Sequence, residues 1–202
     1  MFAQAMTSTA TTTTMMIVSG RPNQTAMPLA YWKSGRRIDL NVGLDPGRDG
    51  CGLIWYAPLV EMKPNIVRRH VDMVREVMPR YGLEPMITLI SLSQRCFVST
   101  VPLLFDLGSS NETAAAHECL SALLSSGAKE GFLPYRVGSQ SMDWLMGQGQ
   151  DYWRFVSRLK RSLDPKDIIS PGRYAPLASA QSEHASLPDG TGLRPVRTRD
   201  SR

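Results

Sequence analysis

Met86-Ile-Thr-Leu-Ile-Ser-Leu-Ser-Gln-Arg-Cys-Phe-Val-Ser-Thr-Val-Pro-Leu-Leu-Phe105 is the stretch on which the fold turns. Two β-rich runs, Met86 to Leu92 and Cys96 to Phe105, flank Ser93-Gln94-Arg95, a polar link short enough for a hairpin. Upstream, Pro64-Asn65 opens a helix, with Asn65 placed to cap its first amides. Val67, Val71, Val74, Met78 and Tyr81 give that helix one apolar face, and Gly82 is its natural stop. Further upstream, Gly52 to Val60 is a short apolar run after the turn residues Asp45-Pro-Gly-Arg-Asp-Gly50. It reads as a buried strand, with Pro58 marking an end or bulge. Downstream, a second helix begins at Asn111, buries Ala116, Leu120 and Leu123/Leu124, and stops before Gly127. Phe132-Leu-Pro-Tyr-Arg-Val137 is the expected fourth strand. The order strand, helix, strand, strand, helix, strand is an α+β, ferredoxin-like split βαβ. Its antiparallel sheet carries both helices on one face. Two more helices, about 140–147 and 151–163, follow, and Tyr152, Val156, Leu159 and Leu163 of the second are expected to pack against something.

Composition narrows the function classes. The 202 residues are 42% hydrophobic and 20% charged, enough for one ordinary core. No apolar run approaches the roughly 18 residues of a membrane span, and no secretory leader is evident before Met16. We therefore expect no membrane partner and a cytoplasmic location. Cys51, Cys96 and Cys119 are too widely spaced for a disulfide framework or zinc knuckle, and His70, His117 and His184 are scattered, so no metal is expected. The net charge of +5 owes much to Arg194, Arg197, Arg199 and Arg202, without a stripe of basic and aromatic residues. That argues for a solvated tail and no nucleic acid. Residues 1–24 are expected to be an irregular or disordered arm and 178–202 a disordered basic tail, leaving 25–177 as the folded domain.

Most individual residues have a plain structural reading. His70 and His117 are expected to be partly exposed helix residues, and Trp144, Met146 and Trp153 to be packing groups. Arg48 and Asp49 read as turn contacts. Trp55 and Tyr56 are adjacent on a strand and point to opposite faces, so one of them can line a pocket. Tyr135-Arg136, taken alone, is an edge pair with the arginine in solvent.

Three segments together change that reading. Gly43-Leu-Asp-Pro-Gly-Arg-Asp-Gly-Cys-Gly-Leu-Ile-Trp-Tyr-Ala-Pro58, the tract from Tyr81 to Asp106, and Tyr135-Arg136 followed by Asp164-Pro165…Pro171-Gly172-Arg173 occur in this order. They resemble the substrate domain of the vanillyl-alcohol oxidase / p-cresol methylhydroxylase flavoproteins, over residues 15 to 175. The resemblance implies an FAD-linked oxidase C-terminal (substrate/cap) domain without the preceding FAD-binding lobe, since no glycine-rich phosphate loop occurs. The helices after the sheet would then return toward that lobe.

What the resemblance implies chemically is an FAD-dependent oxidoreductase fragment for a para-alkyl phenol or related aromatic alcohol. Tyr135 and Arg136 would meet the phenol oxygen, where a permanent guanidinium favours phenolate. Gly172 and Arg173 would face the flavin. Asp45 and Leu53 stand where family members attach FAD covalently, so FAD is expected to be non-covalent in this segment. Phe97-Val98 replaces a His-His pair and Thr88 a pocket carboxylate. Partners implied are an aromatic substrate, a separate FAD-binding lobe or subunit, and a cytochrome acceptor; a homodimer is compatible. Two alternatives stay open: a non-catalytic ferredoxin-like dimerisation or binding module, and an FAD-linked 2-hydroxy-acid dehydrogenase fragment.

Overall fold

The computed structural model describes Gln24, residues 26–35, Asp39 and residues 43–174. The expected tail, and all of the expected arm but Gln24, lie outside the described residues. The chain divides into two units, one up to Arg136 and one from Val137.

The first unit starts with a 3-10 turn, Met27–Ser34, followed by strands β1 (Cys51–Tyr56) and β2 (Leu59–Glu61), helix α1 (Pro64–Val77) and a 3-10 turn at Met78–Tyr81. Strands β3 (Thr88–Ser91) and β4 (Cys96–Asp106) and helix α2 (Ser110–Glu130) complete it. β1 and β2 pair antiparallel with the same edge of β4 in one unbroken register, from Cys51↔Asp106 through Tyr56↔Val101 to Glu61↔Cys96. They are therefore one strand interrupted at Ala57-Pro58. Proline lacks an amide donor, and the interruption is bridged by Ser99 N–H donating to Pro58 O (2.9 Å). β3 pairs with the other edge of β4 (Thr88↔Thr100 to Ser91↔Phe97), closing the hairpin expected over Ser93-Gln94-Arg95.

The fourth strand is shorter than expected. In place of a ladder over Phe132–Val137, a single antiparallel bridge joins Pro134 to Pro58. Two hydrogen bonds flank it, Leu59 N–H to Leu133 O (2.9 Å) and Tyr135 N–H to Ala57 O (3.3 Å). Two prolines face each other there with no donor between them, so pairing cannot propagate. The spatial order is still the 134 segment, β1/β2, β4, β3, with α1 and α2 on one face.

Both helices correct details of the sequence reading. Lys63, extended and without a side-chain cap bond, is the N-cap of α1, with Pro64 in its first turn, so Asn65 lies inside the helix. The buried face is His70, Val74 and Val77, continued by Met78, a part-turn away from the expected stripe; Val67 and Val71 are only half-buried. His70 is fully buried rather than partly exposed. Gly82 does end the segment, with φ 68° and its N–H on Met78 O and Pro79 O.

Helix α2 runs through the expected stop at Gly127 to Gly131, whose φ of 84° closes it. Gly127 serves packing instead. A Cβ there would lie 2.1 Å from Tyr56 Oη and 2.9 Å from Phe132 O, so only glycine lets helix and sheet approach this closely. At the other end Ser109 is the N-cap, accepting from Glu112 N–H (3.3 Å), and Glu112 accepts from Asp106 N–H (2.9 Å). Glu112 also pairs with Lys33 (2.6 Å), tying the Met27–Ser34 turn to α2. Between helices and sheet lie Tyr56, Val60, Val74, Met78, Val101, Leu103, Ala116, Cys119, Leu123 and Phe132, all essentially without solvent contact.

The second unit contains a 3-10 turn (Ser139–Ser141) and helices α3 (Met142–Met146) and α4 (Gln150–Leu163), close to the two helices expected. Trp153 Nε1 donates to Leu145 O (3.1 Å) and Gln148 O (2.8 Å), which holds α3 against α4. The apolar stripe of α4 is Tyr152, Phe155, Leu159 and Leu163, with Val156 half-buried beside it; the stripe is exposed rather than packed. No helix among the described residues is long and apolar enough to cross a membrane.

Candidate functional site

The two faces of the sheet differ. Odd-numbered residues of β4 point at the helices: Ser99 Oγ lies 2.8 Å from His70 Nε2 on α1, and the Phe105 ring is 6.4 Å from that of His117 on α2. Even-numbered residues therefore point to the opposite, helix-free face, because strand side chains alternate. That face is free of α-helices among the described residues and is covered at its Leu53/Leu104 end by the 3-10 turn Met27–Ser34. Register carries that parity across the sheet. Thr88 lies opposite Thr100, Ile90 and Leu59 opposite Val98, and Trp55 opposite Pro102. Continuing the β1/β2 register puts Ala57 opposite Thr100, and the Pro58–Pro134 bridge puts Tyr135 opposite Ala57.

The helix-free face is thus ordered in rows. A polar row, Tyr135, Ala57, Thr100, Thr88, runs across all four segments between the apolar rows Leu133, Leu59, Val98, Ile90 and Trp55, Pro102. None of these side chains is charged. Trp55 (46% exposed), Ile90 (52%) and Tyr135 (44%) leave large apolar surfaces open there. The Thr88 and Thr100 hydroxyls have no hydrogen-bond partner among the described residues.

Both members of the Tyr135-Arg136 pair are exposed. The Arg136 guanidinium carbon sits 5.3 Å from the centroid of the Tyr135 ring, a cation–π contact, and among the described residues no carboxylate pairs with it. The bridge at Pro134 aims Tyr135: Phe132 and Pro134 are buried, so Leu133 and Tyr135 face outward. Trp55 and Tyr56 divide as adjacent strand residues must, with Tyr56 in the core donating to Phe132 O (3.3 Å) and Trp55 on the open face.

Gly172 and Arg173 belong to the second unit. Their loop is built on Asp164, which accepts from Ile168 N–H (3.0 Å) and Ile169 N–H (2.8 Å) and pairs with Lys160. Lys160 also reaches Ile169 O (2.6 Å) and Asp167 (2.9 Å). The Lys160 ammonium, followed by the two amides, holds the Asp164 carboxyl at about 2. Gly172 has φ 70°, and Arg173 is exposed with its N–H on Ser170 O (3.1 Å).

The remaining family positions separate by face. Thr88 and the buried Val98 lie on the helix-free side. Phe97 lies on the helix side, in an apolar groove of about 550 Å³ with Met62, Val67 and Val71. Asp45 accepts from Arg48 N–H (3.1 Å) in its turn, and Leu53 packs against Ala30, Tyr31 and Cys51. Among the described residues no group of three or more His, Cys, Asp or Glu side chains could hold a metal ion. Two features escaped sequence reasoning: the buried His70–Ser99 pair, and Thr100 as a member of an open row. Alternation could have given Thr100 its parity but not its neighbours.

No family model matches the chain. The 1'-carboxy-chondrochloren decarboxylase of Chondromyces crocatus is 36% identical over 155 residues, 77% of this chain and 28% of the relative. The 4-cresol dehydrogenase [hydroxylating] flavoprotein subunit of Pseudomonas putida is 30% identical over 132 residues, 65% of this chain and 25% of the relative. Among solved structures, p-cresol methylhydroxylase with substrate bound superposes with a TM-score of 0.61 at 28% identity, covering 64% of this chain and 25% of that one. The 4-ethylphenol oxidase from Gulosibacter chungangensis, in complex with isoeugenol, gives 0.58 at 20% identity over 62% of this chain and 25% of that one, a likeness of fold alone. The chain spans about a quarter of the length of the relatives it matches.

Proposed function

Because the chain belongs to the vanillyl-alcohol oxidase / p-cresol methylhydroxylase flavoprotein family, we propose that residues 25–177 form the substrate side of an FAD-dependent oxidoreductase. It oxidises a para-alkyl phenol or a related aromatic alcohol and works with a flavin-binding lobe supplied in the same or a separate polypeptide. The observation that carries this reading is Tyr135 on the uncharged, aromatic face of the sheet, with the Arg136 guanidinium against its ring and no carboxylate among the described residues to neutralise it. This face suits one side of a flat substrate or ring system. The described residues include no glycine-rich loop able to wrap a pyrophosphate, so the fit is to the reacting end of the cofactor only.

In this mechanism Arg136 and the Tyr135 hydroxyl converge on the phenol oxygen and lower its pKa, the guanidinium by opposite charge and the hydroxyl by hydrogen bonding to the anion. Phenolate pushes an electron pair through the ring, and the benzylic carbon releases hydride to leave a quinone methide, to which water adds. Flavin, when bound, supplies the two-electron acceptor. Trp55 and the apolar rows exclude water from the ring faces. By the same family resemblance, Gly172, with its left-handed backbone, and Arg173 would be residues that hold the flavin, Arg173 supplying a positive charge. Asp45 and Leu53 offer no bond to FAD, so attachment is non-covalent in this segment. A cytochrome acceptor, a homodimer and a cytoplasmic location belong to the same proposal.

The 36% identity to a decarboxylase favours a second reading, in which a carboxyl group rather than hydride leaves the substrate. The ultraviolet difference spectrum of 4-propylphenol bound to the purified chain at neutral pH tests the main proposal. Bound phenolate in the wild type, with its loss in Arg136→Ala, is the expected result. A neutral bound phenol, or a spectrum indifferent to Arg136, refutes it.

A further inference from the structure

The polar row has a chemical meaning beyond the phenol oxygen. Adjacent strands lie about 4.8 Å apart, so Thr100 stands about 10 Å and Thr88 about 14 Å from the Tyr135 backbone across the row. A phenol held by Tyr135 and Arg136 covers the Ala57 step, where the side chain is smallest, and directs its para substituent over Thr100 and Thr88. These two threonines face each other directly across β3 and β4. Both hydroxyls are without partners among the described residues, and β-branching keeps each side chain to few rotamers.

We propose, resting on the function proposed above, that Thr88 and Thr100 form a specificity element for an uncharged para substituent that carries a hydrogen-bonding oxygen. A purely alkyl substituent lying over the two hydroxyls displaces their water and offers them no partner, which costs binding. A carboxylate fares worse, because neither the polar row nor its apolar neighbours holds a cation, and an unpaired buried charge is expensive. Lys33 and Glu84 line the hollow over Pro102 and Leu104 at the edge of these rows, but they are already engaged by Glu112 and Trp32.

The test is calorimetric binding to the full 202-residue chain of three phenols: 4-propylphenol, 4-(3-hydroxypropyl)phenol and 3-(4-hydroxyphenyl)propanoate. The hydroxypropyl compound is expected to bind about 3- to 10-fold more tightly than the propyl compound, the range of one neutral hydrogen bond, and the carboxylate most weakly. Replacing both threonines (Thr88→Val with Thr100→Val), which keeps shape and β-branching, should erase the hydroxyl preference while Arg136-dependent phenol binding persists. Equal binding of the two neutral phenols, tightest binding of the carboxylate, or a preference that survives in the valine variant overturns this inference and leaves the function proposal standing. Phenol binding that ignores Arg136→Ala refutes the function proposal instead, and no binding of any of the three refutes both.

Discussion

Acidification from pH 7 to pH 4 should destabilise this protein through one side chain. His70 has no solvent exposure, and its Nδ1 has no hydrogen-bond partner among the described residues. Its ring lies 5.2 Å from that of Phe132 and 6.5 Å from that of Tyr56, and its Nε2 meets Ser99 Oγ. Burial alone pulls the imidazole from 6.5 to about 4. As pH falls below 6.5 the unfolded chain takes up a proton that the folded chain refuses, so stability present above 6.5 drains away until about pH 4 and then levels off. At about 1.4 kcal/mol per pH unit the loss is about 3 kcal/mol, a large part of the 5–15 kcal/mol typical of a domain. Urea unfolding followed by circular dichroism at half-unit steps of pH measures it. His70→Leu should flatten the profile between 6.5 and 4 whatever it does to stability at pH 7, with Ser99→Ala added to remove the hydroxyl left without its partner. Parallel profiles for wild type and His70→Leu, or a titration of His70 near 6.5 by NMR, would refute the reasoning. The Asp164 carboxyl does not confuse this window, because its folded value of about 2 lies below the ordinary 3.8, so its contribution is lost only as pH falls from there.

Gly127→Ala should destabilise by about 1–3 kcal/mol despite alanine's better helix propensity, because the methyl would collide with Tyr56 Oη and Phe132 O; a thermal melt reads this directly. Asp164→Ala removes the acceptor of the Ile168 and Ile169 amides and the partner of Lys160. Limited proteolysis should then cut between Pro165 and Arg173 faster than in the wild type while the first unit stays intact.

Much of the fold was legible because it is encoded locally. The hairpin around Ser93-Gln94-Arg95, the stop at Gly82 and the two late helices follow from alternation, helical spacing and turn residues acting over a few positions. The errors have a common cause in tertiary contact. Gly127 looks like a stop until Tyr56 is seen against it, and His70 looks like a surface residue until Phe132 covers it. The fourth strand is limited by two prolines far apart in the chain, Pro58 and Pro134, which meet only in the fold.

The candidate site divides in the same way. The family resemblance, read from the sequence, singled out Tyr135, Arg136, Gly172 and Arg173, since such a resemblance is carried by residue type and order. Sequence also supplied strand parity, which settled that Trp55 and Tyr56 must part. Neither could bring Tyr135 and Ala57 into line with the hairpin pair Thr100 and Thr88. Side-chain alternation repeats every two residues and says which face, never which neighbour; the neighbour is set by the register between strands far apart in the chain, and only packing against α1 and α2 locks that register.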